Sequence, residues 1–306
     1  MKITIGDYLI NRLKELGIKH IIGLPGDFNL QFLEHINKTE GIELSGASNE
    51  VNAAYAADGD GREHGIAALC VTYGVGDLGA IAGVAGSAAE HVPVIVITGA
   101  PPLYVKRHNF KVHHSLGDGD FSNITKTYEE FTAVQTTITQ QNAEEEIDRA
   151  LRAALRYKRP VNIKIPSNLS YYCIDVKNEP LLPGSHASDE KSLEETAKAI
   201  LDLHQKAENP VVLVDMDVDR FEVAEEMIEF AEKTQTPFAQ MTTGKAVLDE
   251  NHPLFIGTYK GKDTEEDVKE KVEEADFVLS VTPRFIEWNS GTYTDNLPQE
   301  YLVWMD

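Results

Sequence analysis

Positive charge is in short supply in this sequence. Its 306 residues carry 50 Asp and Glu against 28 Lys and Arg, a net charge of −22. Such a chain repels phosphate backbones and anionic headgroups, so neither nucleic acid nor a membrane is expected as a partner. Cysteine is scarce as well. Cys70 falls in an apolar run and Cys173 in what reads as a late loop, too few for a disulfide framework and badly spaced for a metal site. No apolar run approaches the ~18 residues of a membrane span. The first residues, Met1-Lys2-Ile3-Thr4-Ile5-Gly6, lack a basic-then-apolar leader, and a cytoplasmic location is expected.

What is present is a regular alternation of strands and helices. Hydrophobic residues make up 42% of the chain, enough to bury real cores, and the length suits two domains. His20 to Leu24, Ile42 to Ser48, Ala67 to Tyr73, Pro93 to Thr98 and Pro160 to Pro166 read as strands with helical patterns between them. Near-continuous apolar strands separated by helices mean a parallel sheet covered on both faces. Pro180, Pro183 and Gly184 mark a linker within 171–192, and a second alternation follows from Leu193. The expected fold class is therefore α/β, with two doubly wound parallel-sheet domains over 1–178 and 193–306. Because the last strand, Tyr301 to Met305, has no helix after it, the second domain is expected to be incomplete.

Four stretches could carry chemistry. Glu50 stands where a strand gives way to a helix of small residues, Ala53, Ala54, Ala56 and Ala57, with Asn49 in position to cap it. An acid there either stabilises the helix start or is walled off from water by the alanines. Gly74-Val75-Gly76-Asp77-Leu78-Gly79 has the spacing of a dinucleotide loop, but it follows the third strand and no acid follows for a ribose, which favours a tight structural turn. Gly117-Asp118-Gly119-Asp120 lacks the further ligands of a calcium loop and reads as a solvated turn. His113-His114, in a long loop, is either an accident of the surface or a proton relay.

Taken together, four motifs in order resemble the thiamine-diphosphate-dependent 2-oxo acid decarboxylases, the pyruvate, indolepyruvate and branched-chain group. They are Gly23-Leu24-Pro25-Gly26-Asp27-Phe28-Asn29-Leu30, Asn49 to Gly59, Thr72-Tyr73-Gly74-Val75-Gly76 and Val112-His113-His114-Ser115-Leu116-Gly117-Asp118-Gly119. Gly244-Lys245, His252-Pro253 and Ile256-Gly257-Thr258-Tyr259 extend the resemblance into the second domain. It implies a pyrimidine-binding domain followed by a Rossmann-like middle domain. It also implies a lyase in which Glu50 shares a proton with N1′ of the cofactor's aminopyrimidine. Asp27, His113 and His114 would handle the substrate carboxylate and proton transfer. Pro25, Gly26, Thr72, Gly74 and Val75 would join Glu50 in binding the cofactor, thiamine diphosphate.

The chain also departs from that pattern. The family holds the diphosphate and Mg²⁺ in a C-terminal domain, through a Gly-Asp-Gly followed later by Asn-Asn. Gly117-Asp118-Gly119 is not that motif, since it lies in the His-pair loop with no Asn-Asn after it. No metal ligands are expected within these residues. Asp60-Gly61 replaces an aromatic-alanine pair and is expected to loosen the end of the Glu50 helix. The resemblance implies a homo-oligomer acting on a small 2-oxo acid, with small-residue helices such as Ala80 to Ala89 at the subunit interface. The alternative is a non-catalytic, decarboxylase-like binding or regulatory module.

Overall fold

The runs Ala67–Thr72 and Val94–Ala100 have no polar face to offer water, and both are buried along their whole length. They form the middle of a six-stranded parallel sheet. The computed structural model describes residues 1–177, 179–181 and 189–305, and these fall into two compact units, Met1–Ser185 and His186–Asp306. Pro183 and Gly184, on which a linker was expected, lie outside the described residues.

In unit 1 the strands are β1 (Lys2–Thr4), β2 (His20–Gly23), β3 (Glu43–Gly46), β4 (Ala67–Thr72), β5 (Val94–Ala100), β6 (Val134–Thr137), β7 (Val161–Pro166) and β8 (Cys173–Asp175). The helices are α1 (Ile5–Glu15), α2 (Leu30–Lys38), α3 (Glu50–His64), α4 (Val75–Ala89), α5 (Leu103–Arg107), α6 (Ser122–Glu129) and α7 (Ala143–Tyr157). The main sheet runs β3-β2-β4-β5-β7-β6 with every pair parallel, as expected of a doubly wound domain. Alternate residues of β4 enter opposite cores. Ala68 and Cys70 pack with α1, α2 and α7, whereas Ala67, Leu69 and Val71 pack with α3 and α4.

Several elements differ from the sequence reading. The long loop expected around the His pair begins with a short helix, α5. β6 was not anticipated, and its Val-Gln-Thr-Thr has no continuous apolar run to announce it. Cys173 lies on β8, an exposed strand antiparallel to β1, rather than in a loop. The end of α3 is not loosened. Gly61 is buried where a Cβ would stand 2.7 Å from Val92 Cγ1, and the helix runs on to His64 before Gly65 caps it with φ of 80°.

Unit 2 repeats the architecture. Strands β9 (Pro210–Val214), β10 (Phe238–Met241), β11 (Phe255–Tyr259), β12 (Phe277–Val281) and β13 (Leu302–Met305) form a parallel sheet in the order β11-β10-β9-β12-β13. Its helices are α8 (Glu190–His204), α9 (Asp217–Arg220), α10 (Ala224–Thr234) and α11 (Glu266–Glu273). β11, also unanticipated, carries Gly257 at φ of 135°, against Val268 of α11. At the end of β9 the buried Asp215 accepts hydrogen bonds from the backbone N–H of Met216 and Arg284, the Thr243 hydroxyl and the Asn289 amide. Those four donors account for a carboxylate in the core of this unit.

Candidate active site

In unit 1 the chain passes from β2 outward to β3 and then returns to the other side of β2 as β4. The crevice outside the carboxyl ends of β2 and β4 is therefore the topological switch point, where open α/β sheets bind ligands. Every candidate residue outside the His pair ends β4 or lies just after β2, β3 or β4.

The turn after β2 is pinned by a residue the sequence reading passed over. Asn29 is fully buried; its Oδ1 accepts from the Gly26 N–H at 2.8 Å and its Nδ2 donates to the Leu24 carbonyl at 2.9 Å. This holds Pro25 and Asp27 exposed at the crevice. Gly26 approaches β4 so closely that a Cβ there would lie 2.6 Å from Thr72 Cβ. The signal was present, because a polar side chain with both acceptor and donor beside a Pro-Gly turn is suited to bonding the local backbone.

The glycines of Gly74-Val75-Gly76-Asp77-Leu78-Gly79 serve these residues. Gly74 has φ of 81°, and a Cβ on it would collide with the His114 carbonyl. A Cβ on Gly76 would stand 3.2 Å from Thr72 Cγ2 and 3.6 Å from Glu50 Oε1. One on Gly79 would be 3.1 Å from Glu50 Cβ and 3.5 Å from Oε2. The motif is thus a structural turn with space on one side for the His114 backbone and on the other for Glu50. Val75, half exposed, begins α4 at the same edge.

Glu50 begins α3, capped as expected by Asn49, whose Oδ1 accepts from Asn52 N–H at 2.9 Å. The small residues bring α3 onto α4: a Cβ on Gly83 would lie 2.5 Å from Ala54 Cβ. These small side chains are used inside the chain, between its own two helices. One expectation fails, since the alanines do not wall Glu50 off from water. It is only partly buried, while Ala53, Ala54 and Ala57 sit further along the helix, in the core. The shielded acid is Asp77. It is wholly buried, accepts from Gly74 N–H at 3.1 Å and from the Thr98 hydroxyl at 2.7 Å, and has its pKa pushed up to about 6 by burial.

Asp27, His113 and His114 do come together. His113 Nε2 lies 2.5 Å from Asp27 Oδ2, and His114 Nε2 lies 3.7 Å from Asp27 Oδ1. Phe28 supports the pair, its ring stacked on His113 at 5.3 Å and edge-on to His114 at 6.4 Å. The ligand atoms of these three residues lie within 4.8 Å of one another, a donor set that could hold a metal ion although none was expected. In this structure the Asp27 carboxylate and the His113 imidazole are hydrogen-bonded to each other. The Gly117 to Asp120 turn stands apart. Its acids accept from the N–H of Asp120 and Ser122, as a solvated turn would.

Thr72 carries one further feature. Its Oγ1 is buried with no hydrogen-bond partner among the described residues, directly between the Gly26 turn and Gly76. A buried hydroxyl of this kind calls for a ligand or water to complete it.

Known proteins match along the whole chain. Residues 3–123 match a family model described as the N-terminal TPP binding domain of thiamine pyrophosphate enzymes, and residues 197–306 match the central domain of the same enzymes. Pyruvate decarboxylase isozyme 1 of Saccharomyces cerevisiae is 39% identical over 307 residues, covering 99% of this chain and 54% of the relative. The pyruvate decarboxylases of Candida glabrata and Kluyveromyces marxianus are each 39% identical with the same coverage. The chain thus spans about half the length of the curated relatives it matches. No helix among the described residues is long and apolar enough to cross a membrane.

Proposed function

The chain belongs to the thiamine pyrophosphate enzymes, and from that premise we propose that unit 1 supplies the aminopyrimidine side of a thiamine-diphosphate site. The reaction is the non-oxidative decarboxylation of a pyruvate-like 2-oxo acid to an aldehyde and CO₂. The observation that carries this reading is the space beside Glu50, kept open by Gly76 and Gly79 and bordered by the unsatisfied Thr72 hydroxyl. A flat heterocycle with ring nitrogens fits that combination of open contact, acid and orphaned hydroxyl.

Bound there, the cofactor supplies an electron sink for the carbanion left when CO₂ departs. The protein's part is to bind and to manage protons. Glu50 holds a proton at the pyrimidine N1′. Pro25, Gly26, Thr72, Gly74 and Val75 line the ring. Asp27, hydrogen-bonded to His113, acts with His113 and His114 to orient the substrate carboxylate and return a proton to the product. We assign the diphosphate and its Mg²⁺ to protein outside these 306 residues. The acids of the Gly117 to Asp120 turn are occupied with their own backbone, and a net charge of −22 opposes unassisted binding of that anion. Self-association and a cytoplasmic location belong to the same proposal.

The test is to complete the chain with the remaining portion of the Saccharomyces cerevisiae relative, in trans or by fusion, with thiamine diphosphate and Mg²⁺. We expect aldehyde release from pyruvate or a larger 2-oxo acid, and none measurable from the 306-residue chain by itself. A folded, cofactor-loaded fusion that releases no aldehyde from any 2-oxo acid would overturn the reading. Aldehyde from the chain by itself would remove the claim that the diphosphate is held elsewhere.

A further inference from the structure

Behind the Gly74 turn lies a buried cation that the proposed chemistry does not use. Lys164 sits near the end of β7 and is only 4% exposed. Its Nζ meets the Thr125 hydroxyl at 2.5 Å, and it forms no ion pair with a carboxylate among the described residues. Burial lowers its pKa to about 8, opposed by Asp77 and Glu129, while the nearby Lys106 works in the same direction as burial. An ammonium taken out of water with its counter-charges only at a distance, and none in direct contact, is costly.

The surroundings are those of a built pocket. Lys164, Lys106, Thr125, Tyr73 and Phe121 line an inner cavity of about 30 Å³. Tyr73 is buried, and its hydroxyl finds no partner among the described residues. Lys106, Phe121 and Thr125 also line an adjoining outer cleft of about 580 Å³, whose rim includes Asp118 and Asp120. A deep ammonium, a second lysine at the shared wall, and two hydroxyls thus converge on one small space that opens outward.

We propose that this pocket binds a small monocarboxylate, its carboxylate against Lys164 and the Tyr73 hydroxyl, and its short tail in the outer cleft. The inner cavity has room for about two waters at the usual ~10–15 Å³ each, which matches the two oxygens of a carboxylate. Asp118 and Asp120 at the rim disfavour a second negative charge, so a phosphate or sulfate dianion is the poorer fit. The pocket is separate from Glu50 and from the Asp27–His113–His114 cluster, and the inference does not depend on the decarboxylase reading.

The test is an NMR titration of the 306-residue chain with sodium propionate at constant ionic strength, chloride being the ion replaced. Propionate lacks the 2-oxo group, so the proposed active site is not the target. We expect saturable shifts at the Thr125 and Tyr73 amides with a millimolar midpoint, weakened at least tenfold by Lys164→Met. Lys106→Gln, on an exposed residue and safe for folding, should weaken it about threefold and keeps the test decisive if Lys164→Met does not fold. Absence of a saturable shift up to 100 mM, which would mean a pocket of water only, overturns the proposal. So does an unchanged midpoint in both variants, or phosphate binding as tightly as propionate.

Discussion

Glu50 and Asp77 each stand in the first turn of a small-residue helix, behind β3 and β4 on either side of β2, yet their surroundings are opposite. Glu50 is partly open, forms no side-chain hydrogen bond or ion pair among the described residues, and faces space held clear by two glycines. Asp77 is sealed in, with its pKa raised by burial, and both of its oxygens are engaged in holding the Gly74 turn and Thr98. Burial and a shifted pKa therefore mark the acid that builds the site. Under the proposed function, the acid left to react is the one kept free of partners. A perturbed carboxylate is a pointer to function only when a substrate can reach it.

The comparison breaks first at Gly74, where both halves of the site meet. Gly74→Ala places a side chain at φ of 81° and onto the His114 carbonyl. We expect a loss on the order of 4 kcal/mol in stability and no turnover in a completed enzyme, read by denaturant unfolding and aldehyde assay. A stable, active variant would mean the turn and the His loop are independent.

Next in size are two pH effects. Asp77's folded-state pKa lies above its ordinary 3.8, so the folded protein keeps a proton that the unfolded chain has released between pH 3.8 and about 6. Stability should fall as pH rises through that window, by on the order of 3 kcal/mol. Asp77→Asn should flatten the fall; at neutral pH its net effect should be small, because relief from burying the charge offsets the hydrogen bond lost when the amide cannot accept from both Gly74 N–H and Thr98. Lys164 gives the mirror image. Its folded-state pKa lies below its ordinary 10.5, so stability should rise between about pH 8 and 10.5, by a similar amount. Lys164→Met should remove that rise and move the Asp77 window to higher pH, because Lys164 is the cation that holds the Asp77 pKa down. Unfolding curves across both windows check each.

The smallest effect is Gly79→Ala. Its added methyl would press on Glu50 Cβ from 3.1 Å, and the helical position itself favours alanine. We expect stability to change by no more than about 1 kcal/mol, with a larger proportional loss of turnover. Equal losses in both would show that Gly79 only packs.

Much of this was legible in the sequence. Continuous apolar runs disclosed the buried parallel strands, and Asn49 disclosed the start of α3. The short or polar strands were not, because β6 and β11 owe their place to neighbours rather than to a pattern of their own. Asp77 was hidden inside a glycine motif that draws attention to its glycines. Lys164 could have been found: a lysine in Val-Asn-Ile-Lys-Ile-Pro, within a sheet covered on both faces, has no solvent face to reach. The misjudged shielding of Glu50 has the same kind of cause. Small neighbours along a helix bury what lies further along it, not the residue at its tip.

The central claim is that Glu50, not Asp77, is the working acid. Glu50→Gln in the completed, cofactor-loaded enzyme tests it most directly, with turnover and unfolding measured together. The expected result is a fall in kcat of about 10²–10⁴-fold with stability unchanged within about 0.5 kcal/mol. Turnover within a few-fold of the unmodified enzyme would contradict the account and leave the open space beside Glu50 without a role.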